Sequence, residues 1–533
     1  MVSVSCLPDV CLIFEVHQPL RLNYNFRTTF LARREVTKKD LFDIYFDHGL
    51  NKHIFDRAAQ KCYFPANSLI LEGIDRYKRG YKQFKVAYSL SGVFVEQCER
   101  WNPDLLESFK QLAASGCVEF LEQTYYHSLA SLFGTDRSEF VEQVKMHRQL
   151  MKELFHYEPR VIENTECLYN NAIAKTAEGL GYEAIYSEGT ERILEWRSPN
   201  YVYKAKGSNI RLLLRNYRIS DDIGFRFSSR WWQEWPLTAD KYGSWLASSP
   251  GQVVNIFIDY ETLGEHYPSD SGIHEFLKWL PGEVIKWDNL SWRTPSEVVH
   301  RHDPVAELDV HEYNTISWAD LERDPSAWIG NRMQMTSYNL LKGLEPLVKE
   351  VQDEDLTKLW RYLQISDHLY YMSTKGAGPG DVHTYFSPYW GGPMEAFTVY
   401  LGALSDLEAR LIQELKKPHL IAKRMLRPVP IEKSFVFCYE FARPTGRTAS
   451  SLNDFYSTLK VIDPKSIQFH MERGDFERWI RQVIGDDKLA DKLAEISSKK
   501  STSKVLVERV INGVESRIKE LEEIASKPSE ASF

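Results

Sequence analysis

Residues 253–266 read VVNIFIDYETLGEH: an almost unbroken apolar run from Val253 to Ile258, then three carboxylates, Asp259, Glu261 and Glu265. A strand buried on one face alternates apolar with polar residues, whereas a strand buried on both faces reads as a continuous apolar run. The stretch therefore predicts a parallel strand inside an α/β fold, with acids delivered at its carboxyl end. Six further runs of the same kind lie upstream, at residues 9–16 (DVCLIFEV), 84–89 (FKVAYS), 117–124 (CVEFLEQT), 160–165 (RVIENT), 183–187 (EAIYS) and 210–216 (IRLLLRN). Helical stretches separate several of them. One runs over about 103–115, with Asn102 placed as N-cap and Pro103 at the first helical position; another runs over 170–181 and ends on a capping glycine. Seven strand and helix alternations predict an irregular (β/α)7 parallel barrel, with a doubly wound open sheet as the alternative.

The pattern turns helical at about Trp318, as in MQMTSYNLLKGLEPLVKEV and the periodic AFTVYLGALSDLEARLIQELKK. After Met425 the segment LRPVPI marks a boundary. The expected organisation is thus a barrel over 1–305, a helical subdomain over 306–425 and a small, mostly helical C-terminal domain over 430–533, opening on the strand-like KSFVFCYEF.

With 533 residues the chain is too long for one core. Its formal net charge of −8 gives no electrostatic footprint for a polyanion, so nucleic acid is not an expected partner. The seven cysteines, Cys6, Cys11, Cys62, Cys98, Cys117, Cys167 and Cys438, are odd in number and form no CxxC pair, which fits a reducing, cytoplasmic compartment. The opening MVSVSCLPDVCLIFEV has no basic n-region, and Glu15 interrupts its apolar run, so it reads as a first strand and not as a signal or membrane span. Fourteen Trp and 28 Tyr are many, and flat rings beside acids suit the apolar faces of sugars, although large barrels also bury aromatic rings in their cores.

In a parallel barrel the chemistry gathers at the carboxyl ends of the strands, where the following loops converge. The first run ends in Glu15, His17, Gln18 and Pro19; the third in Glu122, Tyr125, Tyr126 and His127; the fourth at Glu163 and Glu166; the fifth at Glu188; the sixth near Asp221 and Asp222; the last at Asp259, Glu261 and Glu265. Single acids in such places cap helices or pair with Arg, which suffices for Glu163, Glu188 and Glu265. A metal site would need histidines and acids at ligand spacing, and none is evident. Paired-carboxylate chemistry on an acetal needs two acids with opposed pKa values, which this rim supplies without saying which two.

Five short stretches name them. HQP at His17, Gln18 and Pro19; Gly116 and Glu119 followed by YYH ending at His127; ENTECLYN with Glu166; FIDYETLGEH with Asp259 and Glu261; and QISDHLYYM with Asp367 occur in this order, and together the sequence resembles glycoside hydrolase family 57 over roughly residues 8–420. The resemblance implies a retaining enzyme of the α-amylase type, without cofactor or metal, with Glu166 as nucleophile and Asp259 as general acid/base. It implies an α-glucan or malto-oligosaccharide as substrate, with His17, Gln18, Glu119, His127, Glu261 and Asp367 as binding groups, and it makes the helical subdomain complete the site. Trp231, Trp232, Trp235, Trp318 and Trp390 are candidate stacking platforms beside this site, and His383 in DVHTYF is a further candidate. A 4-α-glucanotransferase or branching enzyme would use the same covalent intermediate. An inactive glucan-binding protein and a metal-dependent deacetylase on a similar barrel are the remaining alternatives. The oligomeric state and the role of the C-terminal domain stay open.

Overall fold

The computed structural model describes residues 8–26, 37, 40–375, 387–499 and 501–526; His383 and Cys6 lie outside them. The chain forms two compact units, Met1–Glu345 with Glu354–Asp406, and Pro346–Asp353 with Leu407–Phe533.

The first unit is built on β1 (Asp9–Val16), β2 (Val86–Leu90), β3 (Val118–Leu121), β4 (Val161–Ile162), β5 (Ala184–Glu188), β6 (Tyr203–Ala205), β7 (Arg211–Arg215), β8 (Val253–Asp259), β9 (Ser291–Trp292) and β10 (Glu307–Leu308). All seven strands read from the sequence are present. β1 is the central strand: it pairs in parallel with β8 over seven positions, from Asp9 opposite Val253 to Glu15 opposite Asp259, and with β2 on its other side. β2 pairs with β3, β4 with β5, and β5 with β7, all in parallel. Two thinner junctions complete the circuit. β7 meets β8 at the single pair Arg215 and Asn255, and an isolated parallel bridge joins Glu122, just past β3, to Ile162 of β4. The order β1–β2–β3–β4–β5–β7–β8 thereby returns to β1. The mixed additions β6, β9 and β10 pair at the periphery, β6 antiparallel to β7.

The apolar runs follow from burial on two faces. Val10, Leu12, Phe14 and Val16 of β1 pack outward with Val254, Ile256 and Ile258 of β8 against the surrounding helices. Cys11 and Ile13 point to the opposite face with Ala87, Leu121, Tyr186 and Phe257. With a side-chain period of two, the next inward positions at the carboxyl ends are Glu15 and Asp259. Truncating an outward ring such as Phe14 to Ala would cost about 3–5 kcal/mol. The expected helices form at Pro103–Ala114 and Asn171–Gly179, the latter capped by Asn170, whose side chain accepts from the Ile173 N–H. The helices Arg332–Gly343, Glu354–Tyr362 and Asp367–Tyr370, downstream of the strands, belong to this same compact unit.

The second unit carries an antiparallel hairpin, β11 (Phe435–Glu440) with β12 (Arg443–Ala449), followed by helices from Leu452 to Ser526. Its core gathers Phe437, Phe455, Phe476, Ile480, Leu489, Val510 and Val514. The His470 Nε2 accepts the Cys438 N–H at 2.8 Å and its Nδ1 faces Asp475 at 2.9 Å, tying the hairpin to the helix Pro464–Arg473. Among the described residues no helix is long and apolar enough to cross a membrane, and the six described cysteines form no disulfide.

Candidate active site

The carboxyl ends of the strands open into one pocket, lined among others by Glu15, His17, Gln18, His127, Glu166, Arg215, Asp259, Glu261, Trp318, Arg323, Asp367 and Tyr370. Of the candidate site residues read from the sequence, eight meet there: Glu166, Asp259, His17, Gln18, His127, Glu261, Asp367 and Trp318.

Glu166 sits in a single 3₁₀ turn, Thr165–Cys167, directly after β4, with φ = 63° and ψ = 23°. Cys167 is also left-handed at φ = 52°. Such a conformation in non-glycine residues costs of order 1–3 kcal/mol each and persists only where surrounding contacts over-determine it. Those contacts are present. The Glu163 carboxylate accepts the Cys167 N–H at 2.9 Å, and the Glu166 carbonyl accepts from the Ser317 hydroxyl at 3.0 Å and the Trp318 N–H at 3.3 Å. The Glu166 carboxylate receives Trp318 Nε1–H at 2.8 Å on one oxygen and the Ser366 hydroxyl at 2.7 Å on the other, with His127 Nε2 at 3.4 Å from the latter.

Asp259, the last residue of β8, faces the same pocket. Burial, reinforced by the negative charge of Glu166, pushes its carboxyl from 3.8 up to about 7. Glu261, two residues on, is pushed up to about 8, by burial first and by the Asp259 charge second; the Tyr63 hydroxyl donates to it, and Gln18 Nε2 donates to Tyr63 at 3.0 Å. One carboxyl group fixed by two hydrogen bonds and a second raised by burial in the same pocket bring together two acids, the equipment for acid-assisted displacement at an acetal.

His17 and His127 stack with ring centroids 4.0 Å apart. They differ in charge preference. Burial and the neighbouring His127 lower His17 to about 4, whereas His127 is raised: burial alone would lower it, and Glu166 first, with Asp367 and Glu163, more than offsets that. His17 Nε2 lies 3.2 Å from Asp367 Oδ2, and Asp367 is held down at about 2, its burial outweighed by His17 and other cations.

A buried four-charge network fixes the wall behind Trp318. Arg215 donates to Glu188 at 2.8 Å, to Asp221 at 2.6 Å and to the Phe257 carbonyl at 2.7 Å; Arg323 donates to the same two acids at 3.2 and 2.9 Å and to the Trp318 carbonyl. The Arg215 guanidinium lies 5.7 Å from the centroid of the Trp318 ring. The two acids, which the sequence offered as separate strand-end residues, are thereby shared by two arginines.

Three expected binding residues lie elsewhere. Glu119 accepts Ser296 N–H at 3.0 Å and the Ser296 hydroxyl at 2.5 Å, at the start of the helix Pro295–Arg301. The inward-facing residues along this strand are 119, 121 and 123, and four residues of strand span about 13 Å, so Glu119 lies toward the amino-terminal mouth and Gln123 is buried at the carboxyl end, behind the pocket's lining. Trp231 is 79% exposed, and Trp232 packs edge-on against Trp245 at 6.0 Å; neither lines the pocket, because the chain after Phe225 has already turned away from it. Of the other candidate platforms, Trp235 lines a separate groove and Trp390 is fully exposed. The residues that the sequence reading passed over are Gln123, Ser366, Arg215 and Arg323. Ser366 adjoins Asp367 in the QISDH stretch, and a donor beside a site acid was the signal available. Among the described residues no group of three His, Cys, Asp or Glu side chains could hold a metal ion.

Comparison with known proteins identifies the family of the chain. The sequence model of Glycosyl hydrolase family 57 matches residues 11–311, and that of a family of unknown function, DUF5752, matches 432–533. A protein named "Putative alpha-amylase" from Methanocaldococcus jannaschii is 48% identical over 414 residues, which cover 76% of this chain and 85% of that one. Among solved structures, a 4-alpha-glucanotransferase from Thermococcus litoralis superposes with a TM-score of 0.53 at 16% identity, covering 83% of this chain and 62% of that one. A GH57 branching enzyme from Thermococcus kodakaraensis does so with 0.54 at 14% identity, covering 78% and 90%. These two likenesses concern the fold alone. With more than half of its residues matched by the family's model, and a relative at 48% identity along most of the length of both proteins, the chain belongs to glycosyl hydrolase family 57.

Proposed function

We propose that the protein cleaves α-1,4-glucan with retention of configuration, in the manner of an α-amylase. The observation that carries this reading is the pairing of Glu166, held by Trp318, Ser366 and His127, with Asp259, pushed up to about 7 in the same pocket. The name of the relative at 48% identity supports the substrate class. Glu166 attacks the anomeric carbon while protonated Asp259 donates to the departing glycosidic oxygen. Once the glycosyl–enzyme forms, the Glu166 charge that helped to raise Asp259 is gone, so Asp259 becomes the stronger acid and its carboxylate can take a proton from the incoming water. His17, Asp367 and Glu261 bind sugar hydroxyls around the cleavage point, and the segments that bring Trp318, Ser366 and Asp367 complete the site begun at the strand ends.

Incubation with maltoheptaose and separation of the products tests the reading. Shorter sugars alone are expected. Longer sugars as well would make the enzyme a glucanotransferase, in which a sugar hydroxyl replaces water, and no change in the substrate would overturn the proposal.

A further inference from the structure

Behind Glu166 lies a chain of buried polar groups that starts from two acids. Glu15, at the end of β1, and Glu163, just after β4, are both raised by burial, and Glu15 further by the charge of Glu163. The Ser89 hydroxyl donates to Glu163 Oε2 at 3.3 Å, so its oxygen faces Gln123 as an acceptor. Gln123 answers with its amide nitrogen, which donates to Ser89 Oγ at 2.8 Å and to Glu15 Oε1 at 2.9 Å. Both amide hydrogens are then committed. Its oxygen, 2.9 Å from His127 Nδ1, is left to accept, so His127 carries a hydrogen on Nδ1. The other ring nitrogen faces Glu166 Oε1 at 3.4 Å. A lone pair on Nε2 would there oppose a carboxylate oxygen; a second proton turns the contact into an attraction. The charged or titratable groups facing this ring are Glu15, Glu163, Glu166, Asp367 and the stacked His17.

We propose that Gln123 is a positioning residue for the second half of the reaction: by holding the Nδ1–H of His127 away from Glu166, it presents a protonated Nε2 edge to the nucleophile and helps its carboxylate leave the glycosyl–enzyme. In that step the bond between the Glu166 oxygen and the anomeric carbon breaks with its electron pair returning to Glu166. Water supplies the new oxygen to that carbon, and its proton passes to Asp259. A cation beside Glu166 is of little use to a neutral ester and of much use to the carboxylate being released. The inference rests on the retaining reading above.

The test compares the full-length wild type with Gln123→Met, which keeps the shape and loses the acceptor, and Gln123→Glu, which keeps an acceptor for His127. An aryl α-maltoside with an activated leaving group makes the first half fast, so kcat reports the second half and kcat/KM the first. For Q123M, kcat falls about tenfold, kcat/KM changes less than twofold, and mass spectrometry of the quenched enzyme finds the adduct on Glu166 accumulating; Q123E restores kcat. Ser89→Ala, which removes the acceptor that fixes the amide, gives the same split if Q123M folds poorly. Equal falls in kcat and kcat/KM, or a Q123E as slow as Q123M, would overturn the role of Gln123. Absence of any Glu166 adduct in wild type treated with a 5-fluoro glycosyl fluoride would instead overturn the retaining reading itself.

Discussion

Replacing Asp259 by Asn should stabilise the protein, and more so as the pH rises. Burial and Glu166 lift the Asp259 carboxyl from 3.8 to about 7 in the folded state. A raised acid binds its proton more tightly when folded, so the folded state is unpenalised below pH about 4 and loses stability progressively as the pH climbs through 7. The gap of about 3 pH units corresponds to about 4 kcal/mol, and solvent entering the open pocket trims this to about 2–4 kcal/mol. Asn carries no such penalty. The difference in stability between D259N and wild type should therefore grow by that amount between pH 4 and pH 8 and then level off. With an unfolding entropy of about 2 cal/mol/K per residue over a unit of about 400 residues, 1 kcal/mol moves the melting temperature by only about 1.2 °C, so the expected change in the difference is about 2–5 °C. Tryptophan fluorescence is the suitable probe, since every Trp except Trp479 lies in the unit that contains the pocket. Melting curves of the two proteins that run parallel across this pH range would refute the assignment of Asp259 as the group held protonated near neutrality.

Four further outcomes follow from the same geometry. Glu166→Gln should abolish turnover yet leave oligosaccharide binding by calorimetry within a few fold, and in wild type kcat/KM should fall as the pH rises past about 7, where Asp259 loses its proton; a rate that stays flat to pH 9 would contradict this. Arg323→Met should cost about 1–3 kcal/mol in urea unfolding, and Arg215→Met about 3–5 kcal/mol, because Arg215 is the more deeply buried of the two and makes the shorter bonds to both acids; the reverse ranking would show that the network is misread. Glu119→Gln should lower stability by about 1–2 kcal/mol through its lost bond to Ser296 and leave kcat/KM within twofold, whereas a hundredfold loss of activity would return Glu119 to the substrate.

The strands that carry the site were legible because both of their faces are apolar: β1 and β8 had no polar face to blur the run. The peripheral strands were not. Ser291–Trp292 and Glu307–Leu308 are two-residue pairings at the sheet's periphery, and β12 reads RPTGRTA with five of its seven residues exposed, so no alternation marks it. Within the site, position at a strand end brought many acids and two histidines to the rim, but singled out no pair; it was the five short stretches resembling the family that picked Glu166, Asp259, His17 and His127 from among them. Glu119 was misplaced because its motif lay on the right strand but at the wrong end of it. Arg215 and Arg323 escaped for another reason: they are 108 positions apart, and only folding shows that they share Glu188 and Asp221.

The ring of strands is uneven around its circumference. β1 is zipped to its neighbours over many residues, but the backbone joins β3 to β4 and β7 to β8 by a single pair each. These two seams divide the ring into a leaf of β8, β1, β2 and β3 and a leaf of β4, β5 and β7, and Asp259 rides on one while Glu166 follows the other. The gap between the two carboxyls is therefore a gap between leaves. Side chains rivet the seams where the backbone is sparse: Arg215 to the Phe257 carbonyl, Tyr186 to Asn255, and Asn255 to the Leu214 carbonyl on one side; Ser89 to Glu163 and Thr124 to Thr165 on the other. The polar residues buried beneath the pocket thus act as its calipers, and a mutation in any of them would be felt as a change of reach between the two acids even where neither acid is touched.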